Sequence, residues 1–163
     1  MFYDYYDSPI GCLRLMNDGQ GLSELKKVLP NSAEPTTPEA RNPPLFTEVH
    51  SQLDEYFAGS RTSFALKLSL KGTAFQLSVW RALMDIPFGQ TTTYSEIARR
   101  IQNPLSVRAV GAANGANPIC IVVPCHRVIG RDGSLTGYAG GLSAKATLLR
   151  LEGFCPHEQL SLT

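Results

Sequence analysis

The stretch Pro118-Ile-Cys-Ile-Val-Val-Pro-Cys-His-Arg-Val128 is unusual because an apolar run ends abruptly at a proline and two reactive side chains follow at once. Residues 119–123 have the length of a buried strand and are flanked by prolines, which predicts a strand rather than a helix. Proline cannot continue a ladder, so the strand is expected to stop at Pro124. Cys125 and His126 would then stand at the end of a rigid element, where a reactive side chain is held still.

The overall composition is that of an ordinary globular protein. The chain has 163 residues, of which 43% are hydrophobic and 18% charged, enough to bury a core in one domain or two small ones. No apolar stretch reaches the roughly 18–20 residues of a membrane span, and the acidic, tyrosine-rich start does not resemble a signal peptide. We therefore expect a cytoplasmic protein that does not bind membranes.

Charge is distributed unevenly along the chain. Residues 1–72 carry seven Lys and Arg against nine Asp and Glu, and residues 73–163 carry eight against five. This mild asymmetry allows phosphate contacts in the second half. It falls short of the basic stripe that is typical of a strong nonspecific nucleic-acid binder.

The four cysteines are spaced in a way that matches no paired metal motif, and without a secretory signal they predict no disulfide framework. Three of them are interpreted as small buried hydrophobic residues, namely Cys12, Cys120 and Cys155. Cys125 differs because Pro124 precedes it and His126 and Arg127 follow. A thiol attacks only as a thiolate, so a reactive cysteine needs a neighbouring base or positive charge.

Residues 1–72 are predicted to form a small N-terminal α+β domain with an antiparallel sheet. Tyrosines and leucines separated by turn residues predict a hairpin or meander over residues 2–29, and five prolines predict a polar loop over residues 30–44. Apolar residues at helical spacing predict a helix over residues 46–57, and alternation over residues 64–70 predicts a half-buried strand. No catalytic constellation is evident, so the expected role is structural.

Residues 73–155 are predicted to form a mostly helical domain, followed by a flexible tail over residues 156–163. Thr73 and Gln76 form a capping box at the start of a helix that ends before Pro87. Together with the first domain, this pattern predicts a mixed α/β protein of the α+β type.

A helix-turn-helix is predicted within this second domain. Thr93 and Glu96 form another capping box, and an Asn-Pro dipeptide breaks the helix that it opens. Ser106 is expected to cap a following helix over residues 107–114. Small side chains on that helix would let it approach a nucleic-acid backbone or pack tightly in the core. The segment alone favours core packing, whereas Arg108 near its start favours nucleic acid.

The remaining chemistry lies near the C-terminus. The glycine-rich loop of residues 136–141 lacks the lysine spacing of a P-loop, and Ser143 is expected to cap the last helix. Glu152 at the end of that helix is unfavourable for the dipole, so it is either a frayed surface residue or a buried acid paired with a base. His126 can take the proton of Cys125, directly or through a water, while Glu152 holds the imidazole. This set is compatible with a hydrolase, a thiol protease or an alkyl acceptor.

Resemblance to a known family distinguishes among these three kinds of chemistry. Residues 124–128, preceded by Asn117-Pro118 and followed by residues 137–142, resemble the active-site motif of the O6-alkylguanine-DNA alkyltransferases. The similarity is collinear from about Gly72 to Gly153 and looser before it. The resemblance implies a DNA repair methyltransferase that flips O6-methylguanine out of the duplex and transfers its alkyl group irreversibly to Cys125, once per molecule. It leaves O4-methylthymine open as a second substrate.

The resemblance also implies roles for individual residues. The helix-turn-helix would bind the minor groove of double-stranded DNA carrying O6-alkylguanine, with Arg108 filling the vacated stack. Tyr94 would donate to the base, Asn117 would hold the turn beside the thiol, and His126, through water and with Glu152, would generate the thiolate. Further DNA contacts are expected from Thr93, Ser106, Ala109, Gly111, Asn114 and Arg127. The pocket is expected to be lined by Val128, Tyr138, Ala139 and Gly140.

The chain departs from the pattern of the family at two positions and lacks the residues of a zinc site. Ala139 and Asn114 stand where some members of the family have a serine and a larger apolar residue. The zinc site of certain members has no matching Cys and His set here, so no metal and no cofactor is expected. We expect a monomer, with cooperative assembly on DNA left open. The alternatives are a non-catalytic lesion binder, which would lack the acceptor cysteine, and a thiol hydrolase, which would leave Arg108 unexplained.

Overall fold

The computed structural model describes residues 1–30 and 40–154 and contains two compact units that divide between Lys71 and Gly72. Both helices and strands are present, which confirms the α+β class. Most of the loop predicted over residues 30–44 lies outside the described residues, as do Cys155 and the tail predicted over residues 156–163.

The first unit contains a three-stranded antiparallel sheet. Its strands are β1 (Phe2–Ser8), β2 (Gly11–Asn17) and β3 (Leu22–Lys27), and they lie side by side in chain order. Leu13 and Leu15 in β2 are buried while their neighbours are partly exposed, so one face of the sheet carries the core. The predicted meander is therefore confirmed.

One helix and one extended segment complete this unit. A 3₁₀ turn at Pro43–Phe46 leads into α1 (Thr47–Phe57), which follows the predicted periodicity. The strand predicted over residues 64–70 is wrong. That segment is extended but makes a single β-bridge, between Leu68 and Leu22, because only one of its residues is in register with β3.

The second unit begins with α2 (Ala74–Met84), whose predicted capping box is present. Thr73 Oγ1 accepts from the Gln76 amide at 3.1 Å, and the Gln76 side chain accepts from the Thr73 amide at 3.0 Å. Trp80 is buried in the core, and its indole N–H donates to the carbonyl oxygen of Ala113 at 2.9 Å. This bond ties α2 to the helix that contains Ala113.

The helix-turn-helix is confirmed as α3 (Tyr94–Arg100) and α4 (Val107–Gly115). Thr93 caps α3 by accepting from the Glu96 amide. The Glu96 carboxylate binds Arg99 and Arg100, so the second capping box is only half formed. Ser106 stands at the N-cap of α4, but its hydroxyl donates to the Asn103 carbonyl, and the predicted side-chain cap is wrong.

The strand predicted over residues 119–123 is also wrong, although the segment is almost wholly buried. The amides of Val122 and Val123 bond to the carbonyls of Cys120 and Ile119, and Ile121 adopts a φ of 72°. These are turns. An apolar run indicates burial, and here the burial is achieved by a folded-back segment rather than by a sheet.

Two short strands and a final helix follow. Cys125–Arg127 form a 3₁₀ turn, and β5 (Val128–Ile129) pairs in parallel with β4 (Thr92–Thr93). The last helix, α5 (Leu142–Leu151), begins directly after Gly141. Ser143 lies inside its first turn, so the cap predicted there is wrong. No helix in residues 1–30 and 40–154 is long and apolar enough to cross a bilayer.

Candidate active site

Cys125 opens the 3₁₀ turn at the centre of the second unit, and 3% of its surface is exposed. Its amide donates to the Val123 carbonyl at 2.8 Å, which holds the residue against the buried turn that precedes it. Pro124 has no N–H to place in this dry environment, which suits the position. The thiol is therefore fixed by the backbone on both sides.

The surroundings of Cys125 favour its thiolate form. A hydrogen bond with the Cys120 thiol lowers the pKa of the Cys125 thiol most, and the Asn117 amide and the positive charge of Lys145 lower it further. Burial acts in the opposite direction, because it penalises the charged form. The stabilising contacts prevail, and the pKa of Cys125 lies below its ordinary value.

His126 and Glu152 are brought together as the sequence predicted. Nε2 of His126 lies 2.7 Å from Oε2 of Glu152, and both side chains are inaccessible to solvent. Nδ1 of His126 is buried and has no hydrogen-bond partner among the described residues. Burial is the main cause that lowers the pKa of His126, against the attraction of Glu152. The imidazole is therefore held neutral.

Arg127, expected to contact DNA, is instead buried beside this pair. Its Nε and Nη2 donate to the two carboxylate oxygens of Glu152 at 2.7 and 3.1 Å, and Nη1 donates to the Ile86 carbonyl at 2.6 Å. With 7% of its surface exposed and its guanidinium engaged, it is not available as a surface cation. We correct the prediction accordingly: Arg127 neutralises and orients Glu152.

The turn between α2 and β4 closes over the same carboxylate. The Gly89 amide lies 3.4 Å from Oε1 of Glu152. Gly89 has a φ of 80°, and a Cβ there would meet the Glu152 carbonyl at 3.1 Å. A side chain would thus be strained by the backbone and crowded by the glutamate.

Lys145 is a site residue that sequence reasoning missed. Its side chain is fully buried, and Nζ donates to the carbonyls of Val128 and Thr136 at 2.6 and 2.8 Å. Burial lowers its pKa to about 8, against the attraction of Cys125. The available signal was spacing: residues 145, 148, 149 and 152 form one helical stripe, and the two leucines in it were predicted to face the core.

Tyr94 lies at the start of α3 and faces the loop after β5. Its hydroxyl donates to the Thr136 carbonyl at 3.0 Å and accepts from the Thr136 hydroxyl at 3.2 Å. Burial is the main cause that raises the pKa of Tyr94, and Cys125 adds to it. The phenol therefore keeps its proton. Its donor is engaged by Thr136, a contact that the sequence did not predict.

Two asparagines hold the backbone around the thiol. Asn117 is buried, donates to the Val123 carbonyl at 2.7 Å and accepts from the Ile119 amide at 3.0 Å, so it braces the turn as expected. Asn114 was expected to face a DNA groove but is 3% exposed, and its amide lies 3.4 Å from the Cys125 carbonyl. We correct that prediction: Asn114 points inward from α4 to the 3₁₀ turn that contains Cys125.

The surface of the helix-turn-helix retains most of the other residues predicted to contact DNA. Arg108 and Ala109 are exposed on the first turn of α4, and Thr93 and Ser106 are partly exposed. Gly111 is half-buried, and a Cβ there would lie 4.0 Å from the Tyr94 ring, an ordinary van der Waals distance.

The residues predicted to line the pocket lie in β5 and in the loop that precedes α5. Val128 is buried, and its carbonyl oxygen accepts a hydrogen bond from Nζ of Lys145. Ala139 is exposed, whereas Tyr138 and Gly140 are partly exposed, and a Cβ on Gly140 would meet the Tyr138 ring at 2.9 Å. Gly140 thus lets the ring lie against the loop backbone.

The described residues contain no group of three or more His, Cys, Asp and Glu side chains that could hold a metal ion. The cysteines among them, Cys12, Cys120 and Cys125, form no disulfide. The second unit brings together a thiol, an imidazole, a carboxylate and two cations, contributed by Cys125, His126, Glu152, Arg127 and Lys145.

Comparison with known proteins agrees with this arrangement. Residues 74–154 match the family model of the 6-O-methylguanine DNA methyltransferase DNA-binding domain, and residues 1–70 match the ribonuclease-like domain of the same proteins. The methylated-DNA–protein-cysteine methyltransferase of Methanosarcina acetivorans is 50% identical over 95% of this chain and 100% of its own length. That of Mycolicibacterium paratuberculosis is 50% identical over 99% of this chain and 96% of its own length.

Solved structures give the same result. The crystal structure of Mycobacterium tuberculosis OGT in complex with DNA has a TM-score of 0.86 and 49% identity, covering 94% of this chain and 93% of that one. The structure of Mycobacterium tuberculosis O6-methylguanine methyltransferase also has a TM-score of 0.86, with 46% identity over 99% of both chains. Both units of the fold and both family models lead to one conclusion: the chain belongs to the 6-O-methylguanine DNA methyltransferase family.

Proposed function

We propose that this protein repairs DNA by flipping O6-methylguanine out of the duplex and transferring its methyl group irreversibly to Cys125. The observation that carries the proposal is the environment of the buried Cys125 thiol, where contacts with Cys120, Asn117 and Lys145 lower its pKa against the effect of burial and so favour the thiolate. DNA as the partner follows from the relatives and from the exposed Arg108 on the helix-turn-helix. Minor-groove binding by a monomer in the cytoplasm belongs to the same proposal.

The thiolate is generated by the buried histidine. Because the Glu152 carboxylate can only accept, Nε2 of His126 carries the imidazole proton and Nδ1 presents a lone pair. In the proposed mechanism Nδ1 takes the proton of Cys125 through a water. The imidazolium formed is stabilised by the Glu152 carboxylate that holds it, while the positive charge of Arg127 acts against it.

The transfer itself is one displacement. Sγ of Cys125 attacks the methyl carbon, the S–C bond forms as the C–O6 bond breaks, and the electron pair passes to the guanine oxygen. Tyr94 retains its proton and can give it to the base once its hydroxyl turns from the Thr136 carbonyl. The thioether product has no route back to a thiol, so each molecule acts once.

The DNA side of the proposal assigns a cost to base flipping. Extruding a nucleotide costs a few kcal/mol, least for a weakly paired damaged base, which helps to select lesions. Arg108, exposed on the first turn of α4, would replace the extruded base in the stack. Thr93, Ser106, Ala109 and Gly111 would lie along the same surface.

Intact-protein mass spectrometry tests the proposal directly. Incubation with an excess of duplex containing O6-methylguanine should add one methylene unit per molecule, and peptide mapping should place it on Cys125. Cys125→Ser should gain nothing. Several products formed per protein, or tight binding without any mass gain in the wild-type protein, would be incompatible with single-turnover transfer.

A further inference from the structure

Cys120 and Cys125 lie at the two ends of a buried turn. Between them Ile121, a β-branched residue, adopts a φ of 72°, a conformation that costs on the order of 1–3 kcal/mol. The Val122 amide closes a tight turn on the Cys120 carbonyl at 2.8 Å, and the Cys125 amide closes another on Val123 at 2.8 Å. The chain is thereby folded back on itself within six residues.

The result of this fold-back is a contact between the two thiols. Both side chains are buried, at 7% exposure for Cys120 and 3% for Cys125, and their thiols form a hydrogen bond. A buried thiol beside the attacking sulfur excludes solvent from it. The strained Ile121 has a physical reason in this geometry, because an extended chain would carry the two sulfurs apart.

We propose that Cys120 is a positioning residue for methyl transfer, which holds Sγ of Cys125 in place and donates its S–H to the attacking thiolate. The inference rests on the proposed role of Cys125 as acceptor. Two neighbouring thiols share one negative charge, and the other contacts decide where it resides. The Asn117 amide and the Lys145 cation both favour the charge on Cys125, so the remaining proton stays on Cys120.

The titratable groups around Cys125 make it possible to distinguish a positioning role of Cys120 from a purely structural one. Cys120 approaches from the preceding turn, Lys145 from α5 and Tyr94 from α3, and His126 is the next residue along the chain. Replacing Cys120 removes one donor to the thiolate and leaves the other groups unaltered. Its loss should therefore change how transfer depends on pH, which a merely structural defect would not do.

The experiment compares wild type, Cys120→Ala and Cys120→Ser by the rate of methyl transfer from an O6-methylguanine duplex between about pH 6 and 10. A hydrogen bond to a charged group corresponds to about a tenfold effect or more. Cys120→Ala should be about tenfold slower near pH 7 and approach wild type at the alkaline end. Cys120→Ser, which keeps a donor, should restore most of the rate. Cys12→Ala, a change of a cysteine in β2 of the first unit, should match wild type.

The outcomes are separable from those of the proposed function. If wild type takes up no methyl group, the proposed function fails. If wild type is active and the profile of Cys120→Ala overlays it, or is reduced equally at every pH, Cys120 has no positioning role. If Cys120→Ala does not fold, Cys120→Ser decides, since the positioning role requires it to retain the wild-type profile and Cys120→Val to lose it.

Discussion

Nε2 of His126 lies 2.7 Å from Oε2 of Glu152, and the same carboxylate receives two N–H groups of Arg127. The three side chains are buried together, so neither charge is solvated by bulk water. This arrangement makes the glutamate the link between the base that would activate Cys125 and the cation that keeps the cluster neutral. Replacing Glu152 should therefore affect both His126 and Arg127.

Glu152→Gln should destabilise the second unit by about 3–5 kcal/mol, because it leaves the Arg127 guanidinium buried without a counter-charge. Trp80, the one tryptophan of the chain, is buried in this unit and reports its unfolding by fluorescence in urea. Glu96→Gln is the matched control, since its pairs with Arg99 and Arg100 are screened by solvent and should contribute little to stability. Equal losses in the two variants would contradict the role given to Glu152.

The neutral state of His126 predicts a loss of stability in mild acid. Burial lowers its pKa in the folded protein, so below about pH 6.5 the unfolded chain binds a proton that the folded one does not. The free energy of unfolding should therefore fall as pH falls, by up to about 1.4 kcal/mol per unit. His126→Gln removes the titrating group, and its stability should depend less on pH between 7 and 5. An unchanged slope would mean that His126 binds a proton as readily in the folded protein as in the unfolded chain.

Lys145→Met should destabilise the loop after β5 and slow transfer. The buried carbonyl of Val128 would lose the Nζ donor, and an unsatisfied buried carbonyl costs about 1–3 kcal/mol. The thiolate of Cys125 would also lose a stabilising cation. Unfolding in urea and the transfer rate at pH 7 measure the two effects. Arg150→Met, an exposed cation on the same helix, should leave both unchanged.

Arg108→Ala should separate DNA handling from chemistry. Without a side chain to fill the stack, transfer from an O6-methylguanine duplex should slow by about tenfold or more, since flipping costs a few kcal/mol. Transfer from the free nucleobase, which needs no flipping, should be unaffected. Arg131→Ala removes an exposed arginine outside the helix-turn-helix and serves as the control. A parallel loss with both substrates would assign Arg108 to folding instead.

Local signals in the sequence were sufficient for the helices. The capping box at Thr73 and Gln76 depends on four consecutive residues, and the Asn-Pro break before α4 on two. Such devices act within one turn of the chain, so they can be read without knowing what packs against them. The reactive Cys125 and its histidine were identified in the same way, from their neighbours along the chain.

Contacts between distant segments decided the rest. The run at residues 119–123 is buried as its composition requires, but the side chain of Asn117 replaces the partners that a sheet would have supplied, and turns result. Arg127 and Asn114 look like surface residues in a sequence. Only the fold supplies a carboxylate from the end of α5 for one and a backbone carbonyl at the acceptor turn for the other.

The sequence by itself therefore determined the class of the fold and the family to which the chain belongs, and it singled out Cys125 as the candidate acceptor. Only the tertiary structure decided which groups control that cysteine: Lys145 from α5, Cys120 from the preceding turn and the carboxylate shared by His126 and Arg127. The physical reason is that charge and hydrogen-bond interactions act through space over a few ångströms, whatever the separation along the chain. A sequence motif contains only residues that are close along the chain, whereas the pKa of a buried thiol depends on the groups that surround it in space.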